Sequence, residues 1–170
     1  MRGYHLNRGT PRCAFKVDIQ KAYDTLNWNF LEEILICFGY PKKMIKWIMA
    51  CVTSTSYFIC VNSDLHGFFK GKRGLRQGDP LSPYLFTLVM EVLSLMLKRN
   101  VSMSNGFLYH PRWHKMNIIN LCFADDLFIF SYGNMASVIK KSLTEFKESS
   151  GLSASLPKST VFFANVMQLL

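Results

Sequence analysis

One pair of adjacent carboxylates, set in an otherwise apolar run, constrains this chain more than any other feature. Ile118, Ile119, Leu121, Cys122 and Phe123 precede Ala124-Asp125-Asp126, and Leu127, Phe128, Ile129 and Phe130 follow. Flanks this apolar predict two buried strands with the acids at the turn of the hairpin between them. Two anions held between buried strands are costly unless a positive charge meets them. A divalent metal ion fits that need. Hard cations such as Mg²⁺ take oxygen ligands and keep several waters, so one or two carboxylates plus substrate phosphates complete the shell. Consecutive strand positions face opposite sides. Asp125 and Asp126 are therefore not equivalent ligands, and a partner carboxylate must come from elsewhere. Asp18, at the end of the strand-like run 14–17, is the best supplier. For an isolated Asp-Asp pair, a polar hairpin tip with Asp18 as a turn residue is the plain alternative.

A second segment shifts that balance. Residues 70–78 hold four cations (Lys70, Lys72, Arg73, Arg76) and three glycines, and Asp79-Pro80-Leu81-Ser82-Pro83 then opens a helix. Glycines let a backbone approach a ligand closely, cations supply phosphate contacts, and the amide end of the helix attracts anions. Pro80 or Pro83 suits the first helical turn, and Leu85, Leu88, Val89, Val92 and Met96 recur at helical spacing. Asp79 sits where a carboxylate favours the helix dipole. A solvated basic loop ahead of a core helix is the structural alternative here.

In this order the segments resemble the reverse transcriptase of LINE-type (non-LTR) retrotransposons, over about residues 12–160. Residues 16–28 (KVDIQKAYDTLNW) look like motif A, residues 73–83 (RGLRQGDPLSP) like motif B, FADD at 123–126 like motif C, and residues 150–159 (SGLSASLPKS) like motif D. Ser155 departs from the family's usual asparagine, and Asn120 stands where histidine is common. A group II intron maturase shares these motifs, but the motif B spelling is more LINE-like.

The resemblance implies an α+β polymerase palm, an antiparallel sheet backed by helices, with fingers and thumb largely missing and residues 1–170 forming one palm fragment. It implies an RNA-directed DNA polymerase using two Mg²⁺ ions (Mn²⁺ as a substitute), held by Asp18, Ile19, Asp125 and Asp126, with Asp126 the weaker carboxylate. Its partners would be an RNA template, a DNA primer and deoxynucleoside triphosphates, with the missing regions supplied in cis or trans. Tyr23 matches the steric gate against a 2′-hydroxyl. Gln77 and Gly78 match the nucleotide and template surface, Arg73 and Arg76 are the best phosphate contacts, and Lys158 matches the lysine that assists pyrophosphate departure. Asp24 is assigned to a turn or a local pair. A truncated, catalytically silent relic that only binds nucleic acid or a partner is the alternative.

Composition is consistent with a nucleic-acid partner. Twenty Lys and Arg against eleven Asp and Glu give a net charge of +9, and 49% hydrophobic residues suffice for a core. A chain of this length buries about two-thirds of its unfolded surface as one domain. Five cysteines without CxxC pairing, in apolar surroundings, read as reduced core residues of an intracellular protein of nucleus or cytoplasm, not secreted. His110 and His114 lack the cysteine pair of a zinc site. The stretch 47–63 is a helix end followed by a strand, broken by Thr53-Ser54-Thr55-Ser56, so no membrane span is expected.

Local patterns place a helix after motif A with a capping signal at Asn29 and Glu32, ending near Gly39, and a second from Pro41 with Met44, Ile45 and Ile48 on one side. A strand follows at 57–61 with a turn near Asn62-Ser63-Asp64, then the helix at about 82–99 and a loop-rich region at 102–113. A third major helix at 135–149 turns Val138, Ile139, Leu143 and Phe146 inward and closes at Gly151. A last strand at 160–164 returns to the sheet.

Overall fold

The computed structural model describes residues 12–104, 109, 116, 118–132 and 136–164. His110, His114 and most of the predicted loop-rich region lie outside the described residues.

The centre of the molecule is β1 (Arg12–Gln20), longer than the short run the sequence suggests, so Asp18 stands inside a strand and not at its end. Its sheet neighbours are β5 (Asp126–Tyr132) on one side and β6 (Ser153–Ala154) with β7 (Thr160–Ala164) on the other, all antiparallel. Strand β4 (Asn120–Phe123) closes the Asp-Asp hairpin against β5 and forms the sheet edge. The sheet is α+β in the polymerase-palm manner: β1 and β5 alternate, burying Val17, Ile19, Leu127 and Ile129 on one face and leaving Lys16, Asp18, Asp126 and Phe128 half-exposed on the other.

Helices cover the buried face. They are α1 (Trp28–Cys37), α2 (Lys42–Thr53), α3 (Ser82–Met103) and α4 (Ala136–Ser150). Leu31, Leu35, Leu85, Val89, Leu93, Leu97, Ile139 and Phe146 join the sheet residues in one core cluster, and Phe30 meets Phe146 edge to face at 6.2 Å. Between α3 and α4 a polar seam runs: Asn100 Nδ2 donates to Ser142 Oγ and to Glu145 Oε2, both at 3.0 Å, and Arg99 Nη2 meets the same Glu145 oxygen at 2.6 Å.

Several local expectations change. The N-cap of α1 is Asn27, whose Oδ1 accepts the Asn29 N–H at 2.9 Å; Glu32 stays exposed. Met44 is exposed, and Val52 joins Ile45 and Ile48 inward. On α3 the buried stripe is Leu85, Phe86, Val89, Met90, Leu93 and Leu97, while Leu88, Val92 and Met96 only flank it. Helices α4 and α1 meet α3 from directions that its own periodicity does not specify. Strand β4 is no buried strand: Leu121 and Phe123 are 49% and 84% exposed, and among the described residues no further strand pairs with that edge. Cys13 alone is a core cysteine; Cys37, Cys51, Cys60 and Cys122 are exposed free thiols.

The sequence also conceals a strand. Asp64–Lys70 forms β3, paired with β2 (Ser56–Val61) across a two-residue turn in which Asn62 and Ser63 take φ of 50° and 71°. Both strands are exposed along their whole length, with Tyr57 stacked on Phe69 and Phe58 tilted against Phe68.

Candidate active site

Strand register assembles the site. In the β1–β5 ladder Asp18 stands directly opposite Asp126, so both side chains leave on the same, open face. The Ile19 N–H donates to the Asp125 carbonyl at 3.2 Å. That bond marks Asp18–Asp126 as a non-hydrogen-bonded pair, the kind whose side chains stand closest across an antiparallel ladder. Asp125 occupies the two-residue turn with Ala124, which takes φ of 51°, a left-handed conformation that a residue with a Cβ adopts only under constraint. The turn leaves Asp125 exposed, and Asp126, its neighbour, begins β5. Ile19 buries its side chain in the core at 3% exposure, so only its backbone is near the acids.

Like charges directly opposite in a ladder repel. Lys16, two residues before Asp18 and on the same face, answers this charge: its Nζ lies 3.0 Å from Asp126 Oδ1.

On its other side Asp18 is held by the loop between β6 and β7. Ser155 N–H donates to the Asp18 carbonyl at 2.8 Å, and Asp18 N–H reaches Ser159 Oγ at 3.4 Å. Ser159 Oγ in turn donates to the Ser155 carbonyl at 2.7 Å. Between these two serines a 3₁₀ turn, Leu156–Lys158, carries Lys158 exposed at the surface. Ser155 acts here through its backbone, which any residue supplies, so its departure from asparagine leaves the hold on Asp18 intact. Asn120, the other departure, donates from Nδ2 to Ser94 Oγ at 2.8 Å and pins the edge strand to α3.

A second seam joins the turn after β1 to the glycine-rich loop. Gly74 N–H donates to the Leu26 carbonyl and Trp28 Nε1–H donates to the Gly74 carbonyl, each at 2.7 Å; Leu75 N–H donates to the Tyr23 carbonyl. Gly74 has φ of +88°, and a Cβ there would lie 2.7 Å from the Tyr23 carbonyl oxygen and 2.8 Å from that of Asp24. This glycine therefore permits contact with the chain's own backbone, where the sequence suggested contact with a ligand. Gly78, at φ +83°, faces open space. Asp79 Oδ1 accepts the Leu81 N–H at 2.8 Å and serves its local turn as expected, whereas Asp24 Oδ1 accepts from Gln77 Nε2 at 3.4 Å, a neutral partner distant in sequence and not the local cation expected. Arg73, Arg76, Gln77 and Gly78 are exposed, and neither arginine forms an ion pair among the described residues. The half-buried ring of Tyr23 stacks on Phe86 at 5.1 Å with 23° between planes. Beside the Ala124-Asp125 turn an open cleft of about 310 Å³ runs between α3 and β4, lined by Phe86, Thr87, Met90, Glu91, Asn120 and Ala124 among others.

Among the described residues no three His, Cys, Asp or Glu side chains gather closely enough to cage a metal. The donors present are carboxylate oxygens that face outward, a set that suits a hard divalent ion completed by water and substrate phosphate. Sequence reasoning did not single out Lys16, Trp28, Phe86 or Ser159. The alternation that puts Lys16 on the face of Asp18 was readable; the contacts of the other three carry no sequence signal. No described helix is long and apolar enough to cross a membrane.

A family model described as reverse transcriptase (RNA-dependent DNA polymerase) matches residues 2–168. The chain belongs to that family. This reverse transcriptase chain is 32% identical over 122 residues to the Pol polyprotein of the type-1 retrotransposable element R2 of Popillia japonica, covering 72% of the chain and 19% of that protein. It is 30% identical over 121 residues to the Pol polyprotein of the type-2 element R2DM of Drosophila melanogaster, covering 70% and 10%. These non-LTR relatives agree with the LINE-type resemblance of the motifs. Its fold is similar to that of apo telomerase from Candida tropicalis, truncated from its C-terminal domain, with a TM-score of 0.66 at 17% identity, over 94% of this chain and 32% of that one. The chain thus spans a fifth or less of the two retrotransposon proteins.

Proposed function

We propose that this chain is the palm, motifs A to D over about residues 12–160, of an RNA-directed DNA polymerase that extends a DNA primer on an RNA template. One observation carries the reading: Asp18 and Asp126 are close-paired across the ladder, beside the exposed Asp125 turn, on the open face of a reverse transcriptase fold. Asp18, Asp125 and Asp126 are the residues that would hold Mg²⁺ or Mn²⁺, with the backbone of Ile19 beside them. When bound, two such ions lower the pKa of a primer 3′-hydroxyl and neutralise a departing pyrophosphate. The protein's own share is positioning and charge stabilisation. Tyr23, stiffened by its stack on Phe86, presents a ring to exclude a 2′-hydroxyl. Gln77 and Gly78 border the incoming nucleotide, Arg73 and Arg76 meet phosphates, and Lys158 donates a proton or a positive charge to the leaving group. The remaining template and primer contacts belong to regions supplied in cis or trans.

A catalytically silent RNA-binding role is the second reading, favoured by the pairing of Asp126 with Lys16 at 3.0 Å. Mg²⁺-dependent primer extension on an RNA template separates the two. Extension by the wild type that Asp125→Asn abolishes supports the polymerase; extension that survives the substitution refutes the role given to Asp125. Salt-sensitive RNA binding with no extension favours the silent role.

A further inference from the structure

We infer that Lys16 is the resident counter-cation of the acidic site: its ammonium holds Asp126 until a divalent ion displaces it, and so sets how much metal the site requires. This rests on the reading that Asp18, Asp125 and Asp126 receive a metal.

The register creates the need. Asp18 and Asp126 are direct partners on one face of the ladder, an arrangement that repels unless a cation attends it. Lys16 attends it. Its own partners across the sheet, Phe128 and Thr160, are uncharged, so the side chain reaches diagonally to place Nζ 3.0 Å from Asp126 Oδ1. The other ion pairs among the described residues both involve Glu145 on α4, so no other described cation pairs with these acids. The pair is also built to yield. Its side chains are 37% and 42% exposed, which makes the attraction weak, and a lysine is a point charge on a flexible stem that swings into solvent at little cost. A divalent ion brings twice the charge to the same oxygen. Occupancy of Asp126 by the ammonium and by the metal is thus mutually exclusive, and the linkage is reciprocal.

The test is Mn²⁺ binding to the whole chain, followed by the loss of the free-ion electron paramagnetic resonance signal, so that catalysis is not needed. Lys16→Met should tighten Mn²⁺ binding about two- to fivefold, the scale of an exposed ion pair. Lys16→Arg, which keeps the charge on the same strand, should stay within about a factor of 1.5 of wild type on that scale. The effect of Lys16→Met should vanish in an Asp126→Asn background, since a double-mutant cycle isolates the pair from the general loss of one positive charge. Unchanged or weaker binding in Lys16→Met overturns the inference, and so does an equal gain with and without Asp126. Asp18→Asn and Asp125→Asn separate the two levels of failure. If they weaken Mn²⁺ binding while Lys16→Met does not tighten it, the Lys16 inference falls alone; if they leave binding unchanged, the metal-site reading falls and takes this inference with it.

Discussion

Gly74 offers the sharpest test of how the reverse transcriptase fold is locked, because Gly78 supplies a matched control four residues later. Both have φ above 80°, so an alanine at either position carries the strain of a left-handed residue, about 1–2 kcal/mol. At Gly78 nothing lies within 4 Å of the added Cβ, and the effect ends there. At Gly74 the Cβ would stand 2.7 Å and 2.8 Å from two backbone carbonyl oxygens. Those oxygens belong to Tyr23 and Asp24 and move only if the turn after β1 moves with them. That movement loosens the Gly74–Leu26 and Trp28–Gly74 hydrogen bonds, each contributing about 1 kcal/mol. Gly74→Ala should therefore lose about 3–4 kcal/mol, and Gly78→Ala about 1–2. The gap of about 2 kcal/mol corresponds to a urea midpoint difference of roughly 1 M for a slope near 2 kcal/mol/M. Urea titration followed by far-ultraviolet circular dichroism reads it directly. Trp28→Phe, which removes one donor and adds no clash, should fall about 1 kcal/mol below wild type. Equal midpoints for the two alanine variants would refute the seam.

Three further outcomes follow from the same geometry. Ser159→Ala should lower stability by about 0.5–1.5 kcal/mol and speed hydrogen exchange at the Asp18 amide, with Ser159→Thr restoring protection; unchanged exchange would remove Ser159 from the hold on Asp18. Leu93→Ala should lose about 2–5 kcal/mol as a fully buried side chain, and Leu88→Ala clearly less, measured by the same urea titration; the reverse ranking would mean that α3 faces the core with its other side. The Asn100 hydrogen bond foremost, then the charges of Arg99 and Lys141, hold the Glu145 carboxyl below its ordinary value of 4.5. Its contribution to stability is therefore complete above that value and lost as pH falls through the lower, folded-state value, so the wild-type advantage over Glu145→Gln should shrink on acidification.

Residue patterns alone determined the elements that depend on near neighbours. The apolar run around Asp125-Asp126 specified a hairpin because strand, turn and strand are contiguous. Helix α4, the helix after the glycine-rich loop and β7 at 160–164 were legible for the same reason: period and punctuation lie within one segment, although of the expected inward set of α4 Ile139 and Phe146 are buried while Val138 and Leu143 only flank the core. Motif spelling singled out Asp18, Tyr23, Gln77 and Lys158 as candidates before any contact was known.

Tertiary structure decided everything that depends on which segment meets which. It set Asp126 across from Asp18 and left Asp125 in the turn, because register belongs to a pair of strands and not to either one. It turned α3 so that Leu93 and not Leu88 entered the core, and put β4 at the edge of the described strands, because edge position is a property of the whole sheet. It gave Gly74 to a backbone crossing between segments distant in sequence, and brought Ser155 and Ser159 to the main chain of Asp18. Local propensity acts over a few residues, while these placements follow from which buried surfaces and open backbone groups the folded chain brings into register.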